Sequence, residues 1–284
     1  MNRFLNLFRG HGRGRAEEAG ARNELFLFVH MPKTGGQSLC SFFLKRLVQR
    51  YSFIHLVSPH TQNAHLGWLE SDFARLPLEE RMQTKVILGH LINKDTHKLV
   101  PGKIPRHILF LREPAETLVS FYNFQMKHNR KDEKPLIAFE EWYDRSKQDN
   151  MMTRWLFSEF MRERWPRKTT LREWKQVQRV LRTFWFVGCT EDLDRDAPLL
   201  FQRIGVSGVL ERANVSGLHH EKTLTLDAGL RERLRAENPI DVELYEYWKG
   251  RLDQTVARIR AEIQDRTKAT PRSQTNEKQY RVSV

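Results

Sequence analysis

Cysteine is nearly missing from this 284-residue chain, which has only Cys40 and Cys189. Two thiols cannot build a disulfide framework or a four-thiolate metal site. Both are read as buried free thiols, Cys40 in an expected helix and Cys189 just past an expected strand. Long apolar runs are also missing, and none approaches the roughly 20 residues of a membrane helix. The opening MNRFLNLFRGHGRGRAEEAG has neither an apolar core of signal-peptide length nor a small-residue cleavage site. Acidic charge is in deficit: 35 Asp and Glu stand against 48 Lys and Arg, a net charge of +13. Residues 1–22 carry +3 of this and residues 266–284 carry +4, so about half the excess sits in expected tails. A basic balance suits a nucleotide, a nucleic acid, an acidic glycan or a membrane surface, and does not choose among them.

Apolar material for a core is plentiful. Hydrophobic residues make up 39% of the chain, with 17 Phe and 7 Trp, which excludes disorder over most of it. Five short β-prone runs stand out: Leu25–Val29, Phe53–Val57, Lys85–Leu88, His107–Leu111 and Phe184–Val187. Helical patterns separate most of them, including Leu39, Phe43 and Leu47, the run from Thr117 to Met126, and Asp192 to Ile204 with its acidic start. Strands alternating with helices imply an α/β fold with a mainly parallel central sheet flanked by helices. Residues 136–182 read as a helical, aromatic-rich insertion or lid, and residues 240–264 as one final amphipathic helix. The expected division is a basic flexible segment at 1–22, one domain at 23–265 and a polar tail at 266–284. Phe4, Leu5, Leu7 and Phe8 offer a short amphipathic membrane contact, although a frayed basic terminus is the plainer reading.

Two motifs carry chemistry. In FLFVHMPKTGGQS, a strand runs through His30 into Pro32-Lys33-Thr34-Gly35-Gly36-Gln37-Ser38 and then into a helix. Paired glycines and a helix start make an anion nest of backbone N–H groups, over which Lys33 places a mobile charge. An ATP-type loop would need Gly-Lys-Ser/Thr, and here the lysine precedes the glycines. In HILFLREPAETLVSFY, a strand delivers Arg112 at its carboxyl end, where open α/β sheets bind ligands. Pro114 suits the first turn of a helix, and Ser120 two turns on faces back toward Arg112. An arginine fork with a hydroxyl holds a second phosphate. The plainer alternative is a surface pairing of Arg112 with Glu113 or Glu116.

Together the two motifs resemble those of sulfotransferases that use 3′-phosphoadenosine 5′-phosphosulfate (PAPS). The loop at 32–38 resembles their 5′-phosphosulfate loop, and Leu111-Arg112-Glu113-Pro114 with Ser120 resembles their 3′-phosphate motif. The likeness is strongest to carbohydrate sulfotransferases of the heparan and chondroitin sulfate type and their soluble bacterial relatives. Weaker echoes are Phe186-Val187-Gly188 with Glu191 and Leu193, and Asp241 through Tyr245. The resemblance implies a P-loop NTPase-like sulfotransferase fold, PAPS as co-substrate with product PAP, no metal, and a carbohydrate acceptor that can be anionic. Lack of a transmembrane anchor departs from the Golgi enzymes and points to a soluble, cytoplasmic bacterial protein, open to peripheral membrane association, and with no nucleic-acid-binding signature no nucleic-acid partner is expected.

By the same resemblance His90, in KVILGHLINK, matches the Gly-His position where a histidine serves as base. Imidazole titrates near neutral pH, which suits removal of a sugar hydroxyl proton. Glu70 and Glu113 remain alternative bases. Lys33 would neutralise charge on the departing phosphate oxygen, and His30 would position the site. DNMMTRWLF, residues 149–157, resembles a segment near the acceptor cleft, where Arg154 would meet an acidic sugar. Lys94, Lys98, Lys127, His128, Arg130 and Lys131 read as a basic cleft edge. His219-His220 lies in a polar segment that could close over the nucleotide. The competing classes are a P-loop-like nucleotide kinase and a basic nucleic-acid-binding protein.

Overall fold

The computed structural model describes residues 23–47, 51–59, 67–146, 149–211 and 224–269. Residues 1–22, His60, His65, His219-His220 and the tail beyond 269 lie outside the described residues. Five strands form: β1 (Glu24–Val29), β2 (Phe53–Leu56), β3 (Val86–Gly89), β4 (Ile104–Leu111) and β5 (Phe186–Cys189). They pair in the order β2-β3-β1-β4-β5, and every pairing is parallel. Strand β1 shows why. All six of its residues are buried, and a strand apolar on both faces needs helices on both. β5 starts two residues later than its sequence pattern suggests, because Phe184 still closes the turn after a helix through its N–H to Leu181.

Between the strands run α1 (Gly36–Arg46), α2 (Glu70–Arg75), α3 (Leu78–Arg81) and α4 (Pro114–Lys131). The segment expected to be a helical insertion holds α5 (Phe139–Ser146), α6 (Met151–Trp155) and α7 (Leu171–Leu181). The chain closes with α8 (Leu193–Ile204), α9 (Ala228–Glu237), α10 (Pro239–Lys249) and α11 (Leu252–Ala269). The single helix expected at 240–264 is therefore two. Gly250, a poor helix former, sits at the break. The apolar stripe changes partners there: α10 packs on α6, α7 and β5, whereas α11 packs on α8 and β5.

The main core lies between sheet and helices, where Phe42 of α1 stacks on Phe201 of α8 with ring centroids 3.7 Å apart. Both cysteines are buried and free. The insertion is fastened to the core by two helix ends that cap each other. Asn150 Oδ1 accepts the N–H groups of Ile240 and Asp241 at 2.9 and 3.0 Å. The Asp241 carboxylate accepts the N–H groups of Met152 and Thr153 at 2.7 and 2.8 Å, and the Thr153 hydroxyl at 2.7 Å. Each helix start thus satisfies the other's orphan donors. Among the described residues, no helix is long and apolar enough to cross a membrane.

Candidate active site

The carboxyl ends of β3, β1, β4 and β5 open into a cavity of about 1100 Å³. β1 sits between its two neighbours at the switch point of the strand order, where open sheets leave a crevice. The β1–α1 loop forms its floor. Lys33 and Gly35 have left-handed backbones, with φ of 69° and 81°. Thr34 ties the loop together, its hydroxyl donating to the Met31 carbonyl at 2.8 Å. Thr34 is buried and outside the cavity lining, so its side chain holds the loop rather than a ligand. Pro32, Lys33, Gly35, Gly36, Gln37 and Ser38 all line the cavity.

Gly36 has a further role. A Cβ there would lie 1.9 Å from Cδ2 of His30, so the absent side chain makes room for that imidazole. The His30 ring stacks on His90 at 3.9 Å between centroids. His90 Nδ1 stands 2.6 Å from the His30 carbonyl oxygen. A carbonyl can only accept, so Nδ1 carries the proton and Nε2 keeps its lone pair. His90 lines the cavity, and the surrounding protein mass lowers its pKa, against the opposing hydrogen bond to His30. Burial, followed by the charges of His90, His55 and Lys33, holds His30 well below the usual histidine value. Both shifts favour the neutral ring.

Lys33 lays its ammonium over the Phe124 ring, 4.3 Å from the centroid. Burial, then Arg112 and Lys127, lowers its pKa to about 8. One strand over, Arg112, Glu116 and Ser120 recur every four residues and all line the cavity. Arg112 makes two long contacts, to the Lys33 carbonyl at 3.3 Å and to Glu116 at 3.4 Å. The alternative Arg112–Glu116 pairing therefore exists, in weak geometry, inside the cavity.

Sequence reasoning missed the arginines of α9. Arg231 lines the cavity and donates to Glu113 at 3.0 Å and Glu116 at 2.7 Å. Arg235 donates to Glu113 at 2.9 Å. Glu113 is thus buried, and its carboxylate oxygens are taken up by two guanidiniums. Glu70, the other carboxylate considered as base, lies outside the cavity lining, with Arg162 at 3.8 Å. Arg154 requires a correction. It is buried, its guanidinium bonds Asp149 at 2.5 Å and the Pro166 carbonyl at 2.9 Å, and it does not line the cavity. Its helix does reach the site, through Trp155 and then Glu159. Of the expected basic edge, Lys127 acts on Lys33 electrostatically, while Lys94 and Lys98 lie outside the lining. Among the described residues no group of three His, Cys, Asp or Glu could hold a metal ion.

Residues 21–248 match the sulfotransferase family. No curated protein matches the chain. Among solved structures, retinol dehydratase in complex with androsterone and the inactive cofactor PAP is similar at 14% identity. The alignment covers 90% of this chain and 83% of that one, with a TM-score of 0.31, a likeness too loose to say anything of this chain's ligands.

Proposed function

Because this chain belongs to the sulfotransferase family, we propose that it moves a sulfuryl group from PAPS to a carbohydrate hydroxyl by in-line displacement. It is a PAPS-dependent enzyme. PAPS supplies a sulfuryl group already joined to a phosphate leaving group. The acceptor oxygen bonds to sulfur, the bond from sulfur to the 5′-phosphate oxygen breaks with its electron pair, and PAP leaves.

One arrangement supports this reading. The β1–α1 nest and Arg112 with Ser120 are two candidate anion sites on adjacent strands, and His90 lines the same cavity from the other side of β1. A donor with separate 5′ and 3′ phosphates would use both. The loop and the start of α1 would hold the 5′ end, and Arg112 with Ser120 the 3′-phosphate. Lys33 would leave Phe124 and neutralise charge gathering on the leaving oxygen. His90 would take the acceptor proton on Nε2 while the His30 carbonyl keeps Nδ1 protonated. The carbohydrate acceptor rests on the resemblance of these motifs to the carbohydrate enzymes.

Thermal melting tests the donor. At 100 times its Kd, PAP should stabilise the protein by about 2.7 kcal/mol, roughly 5–10 °C for a domain of this size, and ATP with Mg²⁺ should not. The reverse result would transfer the site to a nucleotide kinase. Steep salt-dependent nucleic-acid binding, unaffected by Arg112→Ala, would favour the third class. A second prediction concerns Gly36→Ala. The new methyl group must displace the His30 ring, which is confined by the His90 stack. The expected cost is about 1–3 kcal/mol in melting experiments, with loss of the PAP-induced rise. A variant that melts and responds like wild type would show that the loop tolerates the clash.

A further inference from the structure

Five carboxylates line the cavity, and they differ in their partners. Glu113 is held by Arg231 and Arg235, and Glu116 by Arg231 and Arg112. Glu191 accepts the Glu113 N–H at 2.9 Å, and Asp194 has contacts of its own. Glu159 differs: it is exposed, lines the cavity, and its carboxylate makes no hydrogen bond or ion pair among the described residues.

The fold holds Glu159 in place. It lies in a π-helical turn, Leu156–Phe160, continuing from α6. Leu156 and Phe160 are buried on either side of it, and the Met161 N–H reaches back five residues to the Leu156 carbonyl at 3.0 Å. Such turns are rare and concentrate at functional sites. The Phe160 carbonyl accepts the Lys94 N–H at 2.9 Å, which fastens the turn to the loop that carries His90 four residues earlier. Glu159 therefore belongs to the His90 side of the cavity. The candidate phosphate groups Arg112 and Ser120 lie across β1 on the β4 side.

A carboxylate without a cation there has two consequences. It accepts hydrogen bonds from hydroxyls, and it repels a second anion. We propose that Glu159 is an acceptor-specificity residue: it hydrogen-bonds a hydroxyl of an uncharged sugar unit presented to His90 and disfavours a unit bearing a carboxylate or sulfate. This rests on the sulfotransferase reading above and narrows it. The basic residues around the cleft then act on the donor, and the acceptor unit at the point of attack is neutral.

The test is transfer from labelled PAPS to dextran, a neutral glycan, and to heparosan, whose uronic acids carry carboxylates. Wild type should favour dextran. Glu159→Gln should lower kcat/KM on dextran about tenfold, chiefly through KM. Glu159→Arg should raise the ratio of heparosan to dextran transfer at least about tenfold. PAP-induced stabilisation should stay at the wild-type value in both variants, which shows that they fold and that the donor site stands apart. An unchanged acceptor ratio in Glu159→Arg, a wild-type preference for heparosan, or no transfer to dextran would overturn the proposal. The donor reading fails separately, if PAP does not stabilise wild type.

Discussion

His90→Ala is expected to lower kcat about 10³-fold while leaving PAP-induced stabilisation unchanged. General-base catalysis by a positioned side chain contributes about 10²–10⁴-fold, and His90, just past β3, lines the cavity with its Nδ1 held by the His30 carbonyl. Among the described residues its hydrogen bond on the loop side is to the His30 backbone carbonyl and its ring stacks on His30, so its removal spares the backbone N–H groups of the nest and Arg112. Equal loss of PAP binding and turnover would instead make His90 part of the donor site. The pH profile of kcat/KM supplies a second check, because it reports groups of the free enzyme. The base must be unprotonated, and the surrounding protein lowers its pKa, so the acid limb should lie below the ordinary histidine value of 6.5. Lys33 must be protonated, and its pKa is lowered to about 8, so the alkaline limb should fall near there. Lys33→Arg should move the alkaline limb upward and leave the acid limb alone, since guanidinium stays charged.

The second large effect is on stability. Glu24 opens β1 and is buried, yet three arginines converge on it. Arg203 donates twice at 2.9 Å, Arg106 at 2.8 Å and Arg266 at 2.6 Å. Arg203 is itself buried and also reaches Glu262 of α11 at 3.0 Å. The cluster joins α8 and α11 to the amino end of the sheet. Glu24→Ala strands a buried guanidinium, which costs about 3–5 kcal/mol and lowers the melting temperature by roughly 10 °C. A loss below about 1 kcal/mol would mean that Glu262 alone suffices for Arg203.

The cluster also sets an acid limit. Burial alone would raise the Glu24 pKa, but the hydrogen bonds and charge of Arg203, with Arg106 and Arg266, hold it at about 2. A carboxyl depressed in the folded state stabilises fully above its unfolded value of 4.5. That contribution should fade as pH falls toward 2, and the Glu24→Ala variant should lack this part of the acid dependence.

Much of the architecture was readable from local pattern. Runs such as Leu25–Val29 are apolar on both faces, and that composition alone requires a covered parallel strand. Glycines at 35 and 36 and Pro114 mark turns and helix starts through their own backbone preferences. The four-residue spacing of Glu116 and Ser120 places them on one helical face wherever the helix goes, and Arg112 stands just before that helix begins. Periodicity was less informative at Gly250, where an unbroken stripe concealed a change of packing partner.

By itself the sequence determined the strand–loop–helix units and the residue types at their carboxyl ends, because those depend on neighbours a few positions away. Only the tertiary structure decided which side chains remain free for chemistry. Glu113 is neutralised by arginines 118 and 122 residues further along. The proton on His90 is assigned by a carbonyl 60 residues earlier. Arg154 is drawn inward by Asp149, while Glu159, five residues on, lines the cavity with no counter-charge among the described residues. An ionisable group's role depends on the charges and dipoles that packing brings within a few ångströms of it, and local sequence spacing does not encode them.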